Sequence, residues 1–224
     1  MSDLPDLAQT LTKAPPRRAR TSKGEARRQR LLEVAAQSFL EHGYAGTSVG
    51  QIVGQAKGSV ATAYQLFGSK EGLLAEVLCR ELDVLAGIVF AAMPGEQSAH
   101  ARPVRSALPL LAQRLLAASL APRSLAFYRL LTTECERLPK LIADLMAAAD
   151  DSIYAPLQAC LSRAVQRGEL AVDDPHQAAR LLGYQIQGIA AEARLVADYP
   201  ATPTVQHRQA CEYGVQAFLR AFSV

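Results

Sequence analysis

Gly46-Thr47-Ser48-Val49-Gly50 is the first place in this 224-residue chain where residue type and spacing suggest covalent chemistry. G-x-S-x-G is the pattern of a nucleophile elbow, a serine on a sharp strand-to-helix turn with an acid and a histidine supplied downstream. That elbow needs a strand ahead of it. The residues ahead, LLEVAAQSFLEHGY, instead repeat their apolar positions at helical spacing. His42, His100, His176 and His207 are scattered with no metal-ligand spacing. Cys79, Cys135, Cys160 and Cys211 form no C-x-x-C and no close pair, so they read as reduced, mostly buried thiols. Hydrolysis and metal chemistry therefore find no support, and neither an enzymatic activity nor a cofactor is expected.

The other chemistry on offer is the binding of a polyanion. Residues 1–70 carry ten Lys and Arg against five Asp and Glu, while residues 71–224 carry fourteen against sixteen. A net charge of +3 is thus concentrated at one end. Lys13, Arg17, Arg18, Arg20, Lys23, Arg27, Arg28 and Arg30 face only Glu25 in that stretch. Residues 1–23, with Pro5, Pro15 and Pro16 and little apolar periodicity, read as a disordered basic arm. Residues 1–16 suit a solubilising tail. From Arg17 onward the arm suits phosphates or a minor groove, because it leads straight into a helix whose first turns carry Arg27 and Arg28.

The elements that would position such contacts lie between Thr47 and Phe67. Thr47 or Ser48 can cap a short helix, and Ser48 with Gln51 fits the S/T-x-x-E/Q capping box. Val49, Ile52, Val53 and Ala56 supply its apolar face. Gly58 tolerates positive φ and is the expected turning point. Ser59 can cap a second short helix carrying Val60, Ala63, Tyr64 and Phe67. Two short helices joined by a glycine-containing turn form a helix-turn-helix. Upstream a helix over about residues 24–42 closes at Gly43, and downstream another opens at Ser69.

From Arg27 to Leu74 the chain resembles the DNA-binding domain of the TetR/AcrR family of bacterial regulators. The resemblance rests on Ala35, Phe39, Gly43, Tyr44, Thr47, Ser48, Val49, Ile52, Ala56, Ser59, Thr62, Tyr64, Phe67, Ser69, Lys70, Glu71 and Leu74, with no gap. The turn departs from the family's usual Ala-Gly-Val-Ser: here it is Ala56-Lys57-Gly58-Ser59, with Lys57 placed to face phosphates. The resemblance implies a recognition helix at about residues 59–66 whose N-terminal half enters the major groove. Ser59, Val60, Ala61, Thr62, Tyr64 and Gln65 are then the residues within reach of DNA. Gln65 suits bidentate bonding to adenine, and Val60, Ala61 and the Thr62 methyl suit thymine methyls. Family members often carry Lys or Arg where this chain has Val60, so readout leans on apolar contacts and Gln65. Tyr64 and Lys70 are similar to the family's phosphate-reaching tyrosine and backbone-gripping lysine. Arg27, Arg28, Thr47, Ser48 and Lys57 complete the expected DNA-binding set.

The expected architecture is all-α, with residues 24–70 forming the helix-turn-helix domain and residues 71–224 a larger helical domain for ligand binding and dimerisation. Helices are expected from Ser69 to Met93, stopped by Pro94-Gly95, then at Val104–Leu120, Leu125–Arg137, Leu141–Met146 and Ile153–Arg167. Asp174-Pro175 opens one that runs to about Val196, and Val205–Phe222 forms the last. The run RLLTTECERLPKLIADL followed by RGELAVDDPHQAARLL is similar to C-terminal domains in one branch of the family. Phe90, Met93, Phe127, Leu130, Glu134, Cys135, Met146, Tyr184 and Gln187 are candidates for an apolar effector pocket, Glu134 as partner to a cationic group. Leu182, Ile186, Ile189, Tyr213, Ala217 and Phe218 are candidates for a two-fold dimer interface, helped by the small residues Gly183, Gly188 and Gly214. The resemblance implies a homodimeric repressor on a palindromic double-stranded DNA operator, answering an unknown small molecule. The competing reading is a helical protein-interaction module whose helix-turn-helix head has no operator of its own. With no signal-peptide core and no membrane-length apolar run, a cytoplasmic protein with no membrane partner is expected.

Overall fold

The computed structural model describes residues 23–91, 102–196, 199 and 202–224, with the side chains at 85, 88–91 and 148–152 also outside the description. Ten helices occur among the described residues, and no strand does. They are α1 (Lys23–His42), α2 (Val49–Gln55), α3 (Val60–Phe67), α4 (Lys70–Ala91), α5 (Val104–Leu120), α6 (Pro122–Glu134), α7 (Pro139–Gln166), α8 (Pro175–Ile189), α9 (Ala191–Leu195) and α10 (Val205–Phe222). The fold is all-α with an N-terminal helix-turn-helix, as expected. The arm, Met93, the Pro94-Gly95 stop and most of the loop after it lie outside the described residues, as does the Phe90 side chain.

Two compact units emerge. The first comprises the described residues up to Leu82 together with Leu130–Ala148. Its core is built from Leu31, Leu32, Ala35 and Phe39 of α1, Ile52 and Val53 of α2, Ala63 and Phe67 of α3, and Leu73, Leu74, Val77 and Leu78 of α4, all buried. Spacing of three and four residues, in α2 counted from the buried Val49, places each set on one face of its helix, so each helix has one side to bury. The second unit comprises Asp83–Arg129 and Ala149–Val224. There α5, α8 and α10 pack on one another, through Leu108, Leu111 and Leu115, then Ala179, Leu182 and Ile186, then Cys211, Val215 and Leu219. Ser223 bridges back to Leu170, and Ala171 N–H donates to the Phe222 carbonyl at 2.8 Å.

Helix starts follow their caps. Ser48 accepts from Gln51 N–H, while the Gln51 side chain accepts from Ser48 N–H at 2.9 Å, which is a full capping box. Ser59 accepts from Thr62 N–H. Asp174 accepts from His176 and Gln177 N–H, with Pro175 at the first helical position. Thr204 and His207 form a second capping box.

Three expectations require correction. Leu141–Met146 and Ile153–Arg167 are parts of one 28-residue helix, α7, with Pro156 inside it. Proline removes one hydrogen bond, but Tyr154, Leu157, Cys160 and Leu161 are buried on either side of it, and their packing outweighs the local cost. The helix expected to run to Val196 is broken at Ala190 into α8 and α9. The helix placed at Leu125–Arg137 begins three residues earlier: Pro122 occupies a position where its missing N–H is harmless.

Candidate functional site

The turn between α2 and α3 is a Schellman motif. Gly58 N–H donates to the Val53 carbonyl at 2.8 Å and Lys57 N–H to the Gly54 carbonyl at 3.3 Å. This pattern demands a left-handed residue at the position after the cap. That residue is Lys57, with φ of 53°, and Gly58 is not left-handed. The expected turning point thus moves back by one residue. A Cβ on Gly58 would meet Leu31 and Val53 only at ordinary contact distances of 3.6 and 3.9 Å, so glycine there is not sterically required. Lys57 thus sits exposed at the corner of the motif.

On α3 the buried residues Ala63 and Phe67 hold the helix down. Val60, Ala61, Tyr64 and Gln65 stand exposed together, at positions i, i+1, i+4 and i+5, which share one face of a helix. Val60 and Tyr64 are 43% and 48% exposed, which leaves an apolar edge on that face. Ser59 is exposed and Thr62 partly so, and their hydroxyls lie 2.8 Å apart. Arg27 is exposed on the first turns of α1.

Two residues of the expected set have internal work. Thr47 is buried, and its hydroxyl lies 3.0 Å from the Ser38 carbonyl and 2.8 Å from the Gly43 carbonyl. It locks the α1–α2 corner and has no surface to offer a ligand. Arg28 is half-buried, ion-paired to Glu76, and its guanidinium lies over the Phe67 ring at 5.5 Å. Burial raises the Glu76 carboxyl, and Arg28 counteracts that rise. Ser48, though exposed, engages Gln51 with both its backbone N–H and its hydroxyl. With α1 preceding it in place of a strand, the elbow geometry of a serine nucleophile is not formed.

A second cluster surrounds Tyr44. Its hydroxyl donates to Glu71 Oε1 at 2.6 Å; its ring stacks on Phe39. Lys70 Nζ sits 4.0 Å and the Arg137 guanidinium 4.6 Å from the ring centre. Burial, then the bond to Glu71, raises the Tyr44 phenol, which stays a protonated donor. Lys70 is thereby held beside the motif, partly exposed.

The second unit contains a cavity of about 20 Å³, lined by Leu115, Ala118, Ser119, Ser124, Tyr128, Ile153 and Gln187. That is room for one water-sized group. Of the expected pocket residues whose side chains are described, Gln187 alone is among its lining residues. Phe127 and Leu130 are buried in the packing, Cys135, Met146 and Tyr184 are exposed, and Phe90 and Met93 lie outside the description. Glu134 is buried in the first unit, where its charge is felt by Tyr44. Tyr128, Tyr154 and Arg194 were not anticipated. Tyr128 donates to Gln187 Oε1 at 2.7 Å, Arg194 donates to the same oxygen at 2.7 Å, and Gln187 Nε2 donates to the Tyr154 hydroxyl at 2.9 Å. No local spacing announces this network, since its members come from four helices.

Of the expected interface residues, Leu182, Ile186 and Phe218 are buried within the single chain and present no surface to a second copy. Ile189 and Ala217 are partly exposed and Tyr213 is 71% exposed. Gly183 packs on Tyr154 of its own chain.

The family model described as bacterial regulatory proteins, tetR family, matches residues 31–77. That of the AefR-like transcriptional repressor, C-terminal domain, matches residues 106–224. No curated protein matches the chain. Among solved structures, a candidate TetR-family regulator from Mesorhizobium loti is 23% identical with a TM-score of 0.76, covering 91% of this chain and 100% of its own. The flavonoid-responsive regulator FrrA is 26% identical with a TM-score of 0.67, covering 88% and 97%. A TetR transcriptional regulator from Agrobacterium tumefaciens is 20% identical with a TM-score of 0.68, covering 89% and 95%. A helix-turn-helix head with an outward recognition face, and a C-terminal region matched over more than half the chain, converge: the protein belongs to the TetR family of bacterial regulatory proteins and is a DNA-binding, ligand-responsive transcriptional repressor.

Proposed function

We propose that the protein acts as a homodimer on a palindromic operator, each head placing α3 in a major groove, and that a small molecule bound in the second unit alters operator affinity. Regulators of this family bind DNA operators and small-molecule effectors and act as dimers. One observation carries the reading: Val60, Ala61, Tyr64 and Gln65 stand together on the outward face of α3, with Lys57 projecting from the adjoining turn. Gln65 reads adenine, Val60, Ala61 and Thr62 meet thymine methyls, and Ser59 bonds backbone or base. Lys57, Arg27, Tyr64 and Lys70 neutralise or bond phosphates. The DNA-contacting head is the helix-turn-helix of residues 24–70, and the compact unit that holds it extends to Leu82 and takes in Leu130–Ala148. A partner copy packs on α8 and α10 through Tyr184, Ile189, Tyr213 and Ala217, four members of those helices that keep whole or partial exposure. FrrA is named as flavonoid-responsive, and we extend to this chain the idea of an aromatic effector. The effector must favour one arrangement of the heads, since equal affinity for both shifts nothing.

The test is selection of randomised duplexes by the full chain, repeated with Gln65→Ala and across a salt series. A palindromic consensus that loses preference at defined positions in the variant supports a sequence-reading dimer. Weak retention with no consensus supports instead a head used for protein contacts, a role that the uncharged face of α3 would also suit.

A further inference from the structure

Gln187 Oε1 accepts two hydrogen bonds at 2.7 Å, one from the Tyr128 phenol and one from the Arg194 guanidinium. A Gln carbonyl oxygen has two lone pairs, and here a phenol and a cation take both; the same two donors would hold an anionic oxygen more strongly, because charge-assisted bonds are markedly stronger with an anionic acceptor. Arg194 lies 3.8 Å over the centre of the Tyr128 ring. No carboxylate among the described residues pairs with it, and its Nε is buried without a hydrogen-bond acceptor. Among the described residues the cavity beside this group has no acidic side chain in its wall, which is otherwise Leu115, Ala118 and Ile153 with two serines. Both serine hydroxyls are turned back on helix carbonyls, Ser119 onto Leu115 at 2.8 Å and Ser124 onto Ala118 at 2.5 Å. They therefore bring no donor that would compete for the same oxygen.

The position of Arg194 follows from the break at Ala190. In an unbroken helix a residue seven positions on would lie about 10 Å further along the axis. The break and the short α9 bring the guanidinium back onto Tyr128 and Gln187.

Resting on the effector-responsive reading above, we infer that the effector is an organic anion, a carboxylate or ionised phenol on an apolar aromatic body, whose anionic oxygen replaces Gln187 Oε1 between Tyr128 and Arg194. At about 20 Å³ the cavity does not hold such a molecule as it stands. Entry requires the Gln187 amide to swing out, which also breaks its bond to Tyr154. Burial keeps the Tyr128 phenol protonated, so it remains a donor to the incoming oxygen. Because Gln187 belongs to α8 and Arg194 to α9, occupancy of the site acts directly on the α8–α9 break.

The experiment is calorimetric titration of the full chain with 2-naphthoate and 4-nitrophenolate as the two anionic sources, with 2-naphthamide as the neutral counterpart and 2-(aminomethyl)naphthalene as the cation. The expected result is tighter binding of at least one anion than of the amide by about tenfold or more, and none of the cation. Arg194→Gln should shrink that preference to within about threefold, and Gln187→Ala, which removes the internal acceptor, should enlarge it. Which anion wins tells carboxylate from phenolate. Equal or tighter binding of the amide or amine, a preference that survives in Arg194→Gln, or no binding of any probe overturns the inference. The underlying effector-responsive reading fails differently: probes bind, yet saturating amounts leave the affinity for the selected operator unmoved.

Discussion

Tyr44 donates a 2.6 Å hydrogen bond to Glu71, tying the corner after α1 to the first turn of α4. That bond is the largest of the influences lowering the Glu71 carboxyl below its ordinary value, ahead of its own backbone bond. A carboxyl lowered in the folded state contributes stability that is complete above its unfolded pKa, near 4.3, and is lost as pH falls through the folded value. Tyr44→Phe should therefore destabilise the protein by about 1 kcal/mol at neutral pH. It should also flatten the stability profile below about pH 4. Urea melts of both proteins from pH 7 to pH 3 measure this; parallel acid limbs would show that Tyr44 does not set the Glu71 titration.

Lys57 occupies a left-handed conformation that costs a non-glycine residue roughly 1–2 kcal/mol. Lys57→Gly relieves that strain while adding chain entropy to the unfolded state, for a net gain of about 0.5–1 kcal/mol. The same change deletes a phosphate contact if Lys57 faces DNA. Operator affinity should then fall, and the slope of log affinity against log salt should become shallower by about 1. Lys57→Arg should keep the slope. A Lys57→Gly variant that is stabilised with an unchanged salt slope would place the lysine off the DNA.

How far the sequence carried these conclusions depends on the range of the forces involved. Ser48 with Gln51, Ser59, Asp174-Pro175 and the two ends of α10 were legible because caps and apolar periodicity act within a single turn. Lys57 was not, since glycine is the favoured left-handed residue and the hydrogen-bond pattern of α2 chose its neighbour. Thr47 and Arg28 looked like surface contacts because their partners, Ser38 and Glu76, are fixed only by folding. Pro156 and the run before it concealed the continuity of α7, which tertiary packing supports. The cavity was least legible. Tyr128, Tyr154, Gln187 and Arg194 meet through four helices, and none of their pairwise separations is a motif.

The thiols should separate cleanly by burial. Cys135 is exposed, whereas Cys79, Cys160 and Cys211 are buried. Burial pushes the Cys211 thiol up to about 11 and raises Cys160 as well, so neither offers thiolate near neutrality. A thiol-specific reagent at pH 8 should modify Cys135 alone in the native protein, and Cys135→Ser should abolish the rapid phase. All four residues should react in denaturant. Rapid native modification at Cys211 would mean that the α10 packing opens readily.

Gly183 and Gly188 lie on the same helix and should respond to alanine with opposite signs. In a helix interior, glycine to alanine ordinarily stabilises by about 1 kcal/mol. At Gly188 nothing beyond its own stretch of helix lies within 4 Å of an added Cβ, so Gly188→Ala should show that gain. At Gly183 the added Cβ would fall 2.3 Å from Tyr154 Cε1 and 2.4 Å from Cδ1. The ring is buried and forms a T-shaped pair with Tyr184, so it has little room to retreat. Gly183→Ala should destabilise by about 1–3 kcal/mol through overpacking. Displacing Tyr154 also strains its bond with Gln187 Nε2, so the variant should bind the anionic probes differently from wild type. Thermal melts and calorimetry on the two variants read both effects. A stabilised Gly183→Ala with unchanged probe binding would show that Tyr154 moves without consequence and is not part of the site.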